Sequence, residues 1–263
     1  MLGPLEIDDG NDFVPVKGPS QRRLLILLAI NANEAVPVDT LIDALWGDHP
    51  PASPCHALHT AATNARKRLV RCRGPDHTPA RIDHIGWAYR LSVMEEELDT
   101  SCFSTLIDLS RRVLEGGDAE TASQFAVEAL ALWRGPPLSG LGEEPVFQAE
   151  ANRLTGQRFA ALEIRIDADL ALGRHAELIG ELEALIAAHP FDETLQSRLL
   201  LALYGSGRQV EALRAYRTFA ARLAEGLGIE PTPVLQLVEQ AILEHSPLVD
   251  TARVPSGVFE HLD

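Results

Sequence analysis

The chain has 263 residues, 46% of them apolar, and a net charge of −15. That is enough for two domains, each with its own core. No apolar run reaches the length of a membrane span, no secretory leader pattern opens the chain, and three cysteines without CxxC spacing argue against a disulfide framework.

The acid is unevenly spread. The first 93 residues hold ten Lys+Arg and ten Asp+Glu, so the entire net charge falls on residues 94–263. A neutral first half with a local basic cluster is compatible with phosphate binding, despite the acidic total.

In chain order, Leu2 to Ile7 and Phe13 to Val16 are short apolar runs separated by Asp8 to Asp12, which predicts two edge strands around a turn. Ser20 to Ile30 reads as a buried helix capped by Ser20, and Asn31 to Val36 as a turn. Asp39 is placed to cap a short helix through Leu41, Ile42, Leu45 and Trp46, which Gly47 to Pro51 breaks.

Ser53 to Arg73 then reads as a third helix, with Ser53 as N-cap and Pro54 in the first turn. On a helical wheel Leu58, Ala61, Ala62, Ala65, Leu69 and Cys72 form a small apolar face. His56, Thr60, Thr63, Asn64, Lys67 and Arg71 gather opposite, with Arg66 and His59 on one shoulder and Arg68 on the other. No carboxylate occurs between Asp48 and Asp76. Lys and Arg suit phosphates, whereas Thr and Asn can reach base edges. An ordinary solvated basic face is the bland alternative.

Arg81 to Ile85, Gly86-Trp87 and Ala88 to Ser92 predict a β-hairpin bent at Gly86. Strands, three helices and a hairpin make a winged helix-turn-helix, whose third helix enters the major groove and whose wing lies along the adjacent backbone. Trp87 at the bend is either a core plug or a wing contact. The expected DNA-binding set is Thr60, Thr63, Asn64, Arg66, Lys67, Arg68, Arg71, His84 and Trp87.

At this point Leu2-Gly-Pro-Leu-Glu-Ile, Gly18-Pro-Ser-Gln-Arg-Arg-Leu-Leu, Val38 to Gly47 and Gly86-Trp-Ala-Tyr-Arg-Leu resemble the DNA-binding domain of the Streptomyces antibiotic regulatory protein family. The resemblance implies an OmpR-like winged helix followed by a bacterial transcriptional activation domain. The chain departs from the family pattern at Ala62 and Ala65, where larger apolar residues are usual, and at His84, where the wing is commonly basic.

Beyond an acidic linker, Met94 to Thr100, the text is helical: Phe103 to Leu114, Ala119 to Trp133, Pro145 to Leu172, His175 to Ala188, Asp192 to Tyr204, Gln209 to Glu225 and Pro233 to Glu244. Gly173-Arg174 recurs as Gly207-Arg208, and Glu177 as Glu211, at the 34-residue spacing of a tetratricopeptide helix pair. Such repeats build protein-binding scaffolds. Ala129 to Leu138, Asp169 to Leu178, Leu201 to Leu213 and Leu227-Gly-Ile-Glu-Pro231 resemble the same family's activation domain.

The expected architecture is therefore mainly α with a small β part. Residues 1–93 form the winged helix, 94–100 the linker, 101–246 a tetratricopeptide-like activation domain, and 247–263 a disordered tail. No phosphate loop, GxSxG or HExxH motif is present, so no enzymatic activity and no cofactor are expected. Cys55 and His59 lie four apart with only His56 nearby, too few ligands for a metal site.

The resemblance implies a cytoplasmic activator that binds direct repeats of double-stranded DNA near a promoter's −35 element, as a dimer or in tandem. It also implies contact with RNA polymerase holoenzyme and its sigma factor, and control of a secondary-metabolite gene cluster. The rival reading is a protein-interaction adaptor whose winged helix no longer binds DNA.

Overall fold

The computed structural model describes residues 1–8, 12–71, 80–141 and 144–246. The elements are β1 (Glu6–Asp8), β2 (Phe13–Pro15), α1 (Pro19–Ile30), β3 (Val36–Pro37), α2 (Val38–Trp46), α3 (Pro54–Arg71), β4 (Arg81–His84) and β5 (Ala88–Ser92). After them come α4 (Asp99–Glu115), α5 (Ala119–Ala131), α6 (Pro145–Ala171), α7 (His175–Ala188), α8 (Glu193–Gly205), α9 (Gln209–Leu227) and α10 (Pro233–Leu243). The expected mainly helical fold with a small β part, a winged helix leading into a tetratricopeptide-like α region, is what the chain adopts.

Two compact units result. The first comprises Met1–Asp108 with Glu128–Ala161, and the second Leu109–Val127 with the chain from Leu162 onward.

In the first unit β1 and β2 pair antiparallel, with Ile7 opposite Val14. A three-stranded antiparallel sheet has the order β3-β5-β4. β3 was not expected: Val36 lies in a strand opposite Tyr89 rather than in a turn. Asn33 accounts for the difference. It adopts φ 67°, tolerated by Asn, and its amide N–H donates to Leu91 O at 2.8 Å. Its side chain exchanges two hydrogen bonds with the backbone of Val93, both at 3.0 Å. The turn is thereby fastened to the end of β5, and Val36 falls into register.

The helix starts also differ from expectation. α1 begins after Gly18, at φ 98°, and α2 after Pro37, neither with a side-chain cap; Ser20 and Asp39 lie inside their helices. Leu24 to Leu28 of α1 are all buried, and α1 packs on both α2 and α3.

The N-terminal segment is part of this core. Leu2 is fully buried; its N–H donates to Asp99 Oδ2 at 2.9 Å and its carbonyl accepts from Arg134 N at 2.8 Å. The Arg134 guanidinium reaches Asp99 and Glu6, each at 3.3 Å, and lies 4.8 Å from the Phe13 ring centre. Phe103 and Trp133 meet edge to face at 5.5 Å. Trp133 thus seals a core.

In the second unit one turn recurs three times. Gly117, Gly173 and Gly207 have φ of 87°, 74° and 75°. After each, the next amide reaches back five residues: Asp118 N to Val113 O (2.9 Å), Arg174 N to Asp169 O (3.0 Å) and Arg208 N to Leu203 O (2.9 Å). This is the Schellman closure, which needs a left-handed residue that glycine supplies without strain. It joins α4 to α5, α6 to α7 and α8 to α9 as helix hairpins.

Ion pairs link the second unit's helices. Arg198 of α8 forks onto Asp167 at 2.6 and 2.7 Å and reaches Glu163 at 2.6 Å. The half of α6 after Leu162 also presents Asp169, which is buried and accepts from Ser123 Oγ, Arg165 and Arg174 within 2.9 Å. Among the described residues no helix is long and apolar enough to cross a membrane. The expected tail, 247–263, lies outside the described residues.

Candidate nucleic-acid interface

The third helix carries its faces as the wheel arranges them. Leu58, Ala61, Ala62 and Ala65 are buried, and Ala62 and Ala65 have no exposed surface at all. Small residues there let α3 lie close against α1 and α2. The departure from larger apolar residues is met by close approach of the helices.

Opposite this face, Thr60 and Lys67 are exposed, and Thr63 and Asn64 are half-buried between them. Spacings of three and four residues set these side chains in one row along the helix. α3 contains no Asp or Glu, so nothing on the helix itself neutralises the row. Arg71 is the last residue of α3, and its side chain, like Cys72 and Arg73, lies outside the described atoms.

The two shoulders behave differently from the row. Arg66 donates Nε–H to Ile82 O in β4 at 2.7 Å, with its guanidinium 5.7 Å from the Tyr89 ring centre. Arg68 donates to Pro15 O at the end of β2 at 3.2 Å. Both join α3 to the sheets through backbone carbonyls. The helical wheel shows which way they lean but not the carbonyls they find.

The wing is a tight hairpin. Gly86 at φ 58° turns it, and Ile85 N donates to Ala88 O at 2.9 Å. Trp87 is 60% exposed and Ile85 42%, which removes the core-plug reading of Trp87. His84 is exposed and packs on Tyr89 at 4.7 Å. Tyr89 is buried, which pushes its phenol above the usual range against the opposing pull of Arg66. His59 Nδ1 lies 3.3 Å from the Tyr89 hydroxyl, a second tie between α3 and the wing.

The wing strands also supply cations that the sequence reading did not select. Asp83 accepts from Ser92 Oγ at 2.7 Å, Arg81 Nε at 3.2 Å and Arg90 at 3.5 Å. The Ser92 hydroxyl, helped by the arginines, holds the Asp83 carboxyl below its ordinary range. One carboxylate between two guanidiniums leaves the wing with surplus positive charge, and the Arg81 side chain is 66% exposed. The signal was available: Ile82 and Leu91 point inward, so strand alternation turns Arg81 and Arg90 outward.

Among the described residues no three His, Cys, Asp or Glu side chains converge as metal ligands would. The geometry offers an uncompensated polar and cationic helix face with a basic, aromatic-tipped hairpin anchored beside it. That combination suits a polyanion with readable edges.

The family model for the bacterial transcriptional activator domain matches residues 98–243. The regulatory protein DnrI of Streptomyces peucetius is 36% identical, over 95% of this chain and 93% of its own length. The regulatory protein AfsR of Streptomyces coelicolor is 37% identical over 94% of this chain, but only 24% of AfsR is spanned. Among solved structures, EmbR of Mycobacterium tuberculosis in complex with a low-affinity phosphopeptide superposes with a TM-score of 0.86 at 35% identity. It covers 96% of this chain and 66% of that one.

Proposed function

The chain belongs to the Streptomyces antibiotic regulatory protein family of transcriptional regulators, and on that premise we propose that it is a sequence-specific DNA-binding activator. The winged helix of residues 1–93 reads direct repeats near a promoter's −35 element. The tetratricopeptide-like residues 101–246 contact RNA polymerase holoenzyme and its sigma factor. The chain acts in the cytoplasm, as a dimer or in tandem on DNA, controls a secondary-metabolite gene cluster and carries out no catalysis of its own.

The observation that carries this reading is the row Thr60, Thr63, Asn64 and Lys67 on an acid-free helix. Asn and Thr read base edges in the major groove, and Lys67 with Arg71 meets phosphates. Arg66 and Arg68 have a positioning role: they fix the angle of α3 to the wing and to β2. Arg81, Arg90, His84 and Trp87 meet the backbone beside the groove. An acidic scaffold held next to a promoter attracts the basic DNA-reading surfaces of sigma by complementary charge.

A gel shift of the full chain on a promoter fragment, across a salt series, tests the reading. Specific retention that weakens steeply with salt is expected. Absence of binding at low salt would favour the adaptor reading instead.

A further inference from the structure

The second compact unit carries an exposed apolar corner. Ala224 to Glu230, the end of α9 and the residues just after it, are all exposed. Within this tract Leu227 is 53% and Ile229 49% exposed. Phe191, in the turn between α7 and α8, is 43% exposed, and its ring lies over Gly226, where a Cβ would fall 3.0 Å from Cε1 and Cζ. Arg222 donates to Pro190 O at 3.2 Å, which fastens that turn to α9. Single exposed apolar side chains are ordinary, whereas several grouped on one corner mark an interaction surface.

The rim of this corner is acidic. Glu225 and Glu230 bracket the apolar residues and are exposed. Glu239 of α10, Glu193 of α8 and Glu230 lie close enough to the Tyr216 phenol that, added to its burial, they push it above its usual range. Three stretches of chain thus bring carboxylates to one place. Part of this charge is engaged: Glu193 accepts from Thr232 N at 2.7 Å and Thr232 Oγ1 at 2.6 Å, and Asp192 caps α8 through Leu195 N at 3.0 Å. Arg222 is a cation at the same corner, but Glu225, Glu230 and Glu239 exceed it.

Charge selects the occupant. A second copy would, in a symmetric pair, set the same acidic corner against itself. Residues 247–263 hold Asp250, Glu260 and Asp263 against Arg253, so they carry the same sign as the rim. Apolar side chains ringed by carboxylates complement a cationic amphipathic helix, whose apolar stripe covers the centre and whose Lys or Arg residues meet the rim.

We propose that this corner docks a basic amphipathic helix of a partner protein, with Phe191, Leu227 and Ile229 as the apolar floor and Glu225 and Glu230 as the charged rim. The inference rests on the reading of residues 101–246 as the polymerase-contacting scaffold, and it locates that contact.

The test titrates the isotope-labelled full chain with a synthetic peptide of leucine and lysine patterned as an amphipathic helix, followed through amide resonances. Those of Gly226, Leu227, Gly228 and Ile229 should shift together and saturably. A peptide of the same composition, scrambled so that its leucines share no face, should bind roughly tenfold more weakly. Leu227→Ser with Ile229→Ser, both at exposed positions, should weaken the patterned peptide to a similar degree. Glu225→Gln with Glu230→Gln should weaken it too and flatten its dependence on salt. Shifts spread evenly over the acidic surface, equal binding of the scrambled peptide, or unaltered affinity in the Leu227→Ser, Ile229→Ser variant would each overturn the proposal. Self-association of the free chain that this variant abolishes would assign the corner to a second copy and overturn it as well. The salt-series gel shift reads the DNA-binding claim separately, so its failure and a failure here are distinct results.

Discussion

Arg66 in α3 donates to the Ile82 carbonyl in β4 at 2.7 Å, so α3 and the wing are joined by a side chain rather than by packing alone. A planar guanidinium makes this bond while lying over Tyr89, which an ammonium cannot reproduce. Arg66→Ala should lower stability by about 1–2 kcal/mol, and Arg66→Lys should recover less than half of that. Urea unfolding checks it. A lysine variant as stable as wild type would show that the contact is ornamental.

Asp99 predicts a pH dependence. Burial works against its charge, but Met1 N at 2.6 Å, Leu2 N–H and Arg134 hold its carboxyl below the ordinary range. A depressed folded pKa contributes stability above the unfolded value of ~3.9, and that contribution is lost as pH falls through the folded one. Asp99→Asn should cost roughly 2 kcal/mol at pH 7. The gap to wild type should close on acidification below about pH 4. A gap that stays constant down to pH 2.5 would contradict the role given to Asp99.

Chain order and packing divide this molecule differently, and the difference can be measured. Residues 1–98 hold every strand among the described residues and α3, yet the buried Leu2 rests on partners at Asp99 and Arg134, and Met1 O accepts from Leu138 N at 3.1 Å. A 1–98 fragment should therefore exchange the α1 amides of Leu24 to Leu28 faster than a 1–161 fragment. Equal protection in the two would show that the winged helix needs none of these contacts.

Much of this was legible beforehand because it repeats locally. The faces of α3 follow from helical period, and the helix hairpins of the second unit from the 34-residue recurrence of Gly173 at Gly207. The equivalent Gly117 does not share that period, because the longer connection from α5 to α6 and the 27 residues of α6 stretch its spacing to Gly173. β3 was missed because two residues carry no alternation; Asn33, not hydrophobic pattern, puts Val36 in the sheet. The inward bonds of Arg66 and Arg68 reach carbonyls 16 and 53 residues away, beyond any local rule.

Gly205 closes α8 against the ring of His175: a Cβ there would fall 2.4 Å from Nδ1. Alanine is favoured over glycine in a helix by up to ~1 kcal/mol. Overpacking costs about 1–3 kcal/mol, so the clash should prevail. Gly205→Ala should unfold at lower temperature than wild type, and adding His175→Ala should restore part of the loss. Stabilisation by Gly205→Ala alone would mean that the imidazole swings away freely.

The central claim is that the Thr60–Lys67 row of α3 reads DNA. The most direct measurement is the affinity of full-length wild type, Lys67→Ala and Asn64→Ala for a selected promoter repeat and for random DNA across a salt series. Lys67→Ala should weaken both DNAs alike and reduce the salt slope by about one. Asn64→Ala should lose about 1–3 kcal/mol on the selected site only. Unchanged affinity and slope in Lys67→Ala, together with equal loss on both DNAs in Asn64→Ala, would contradict the account.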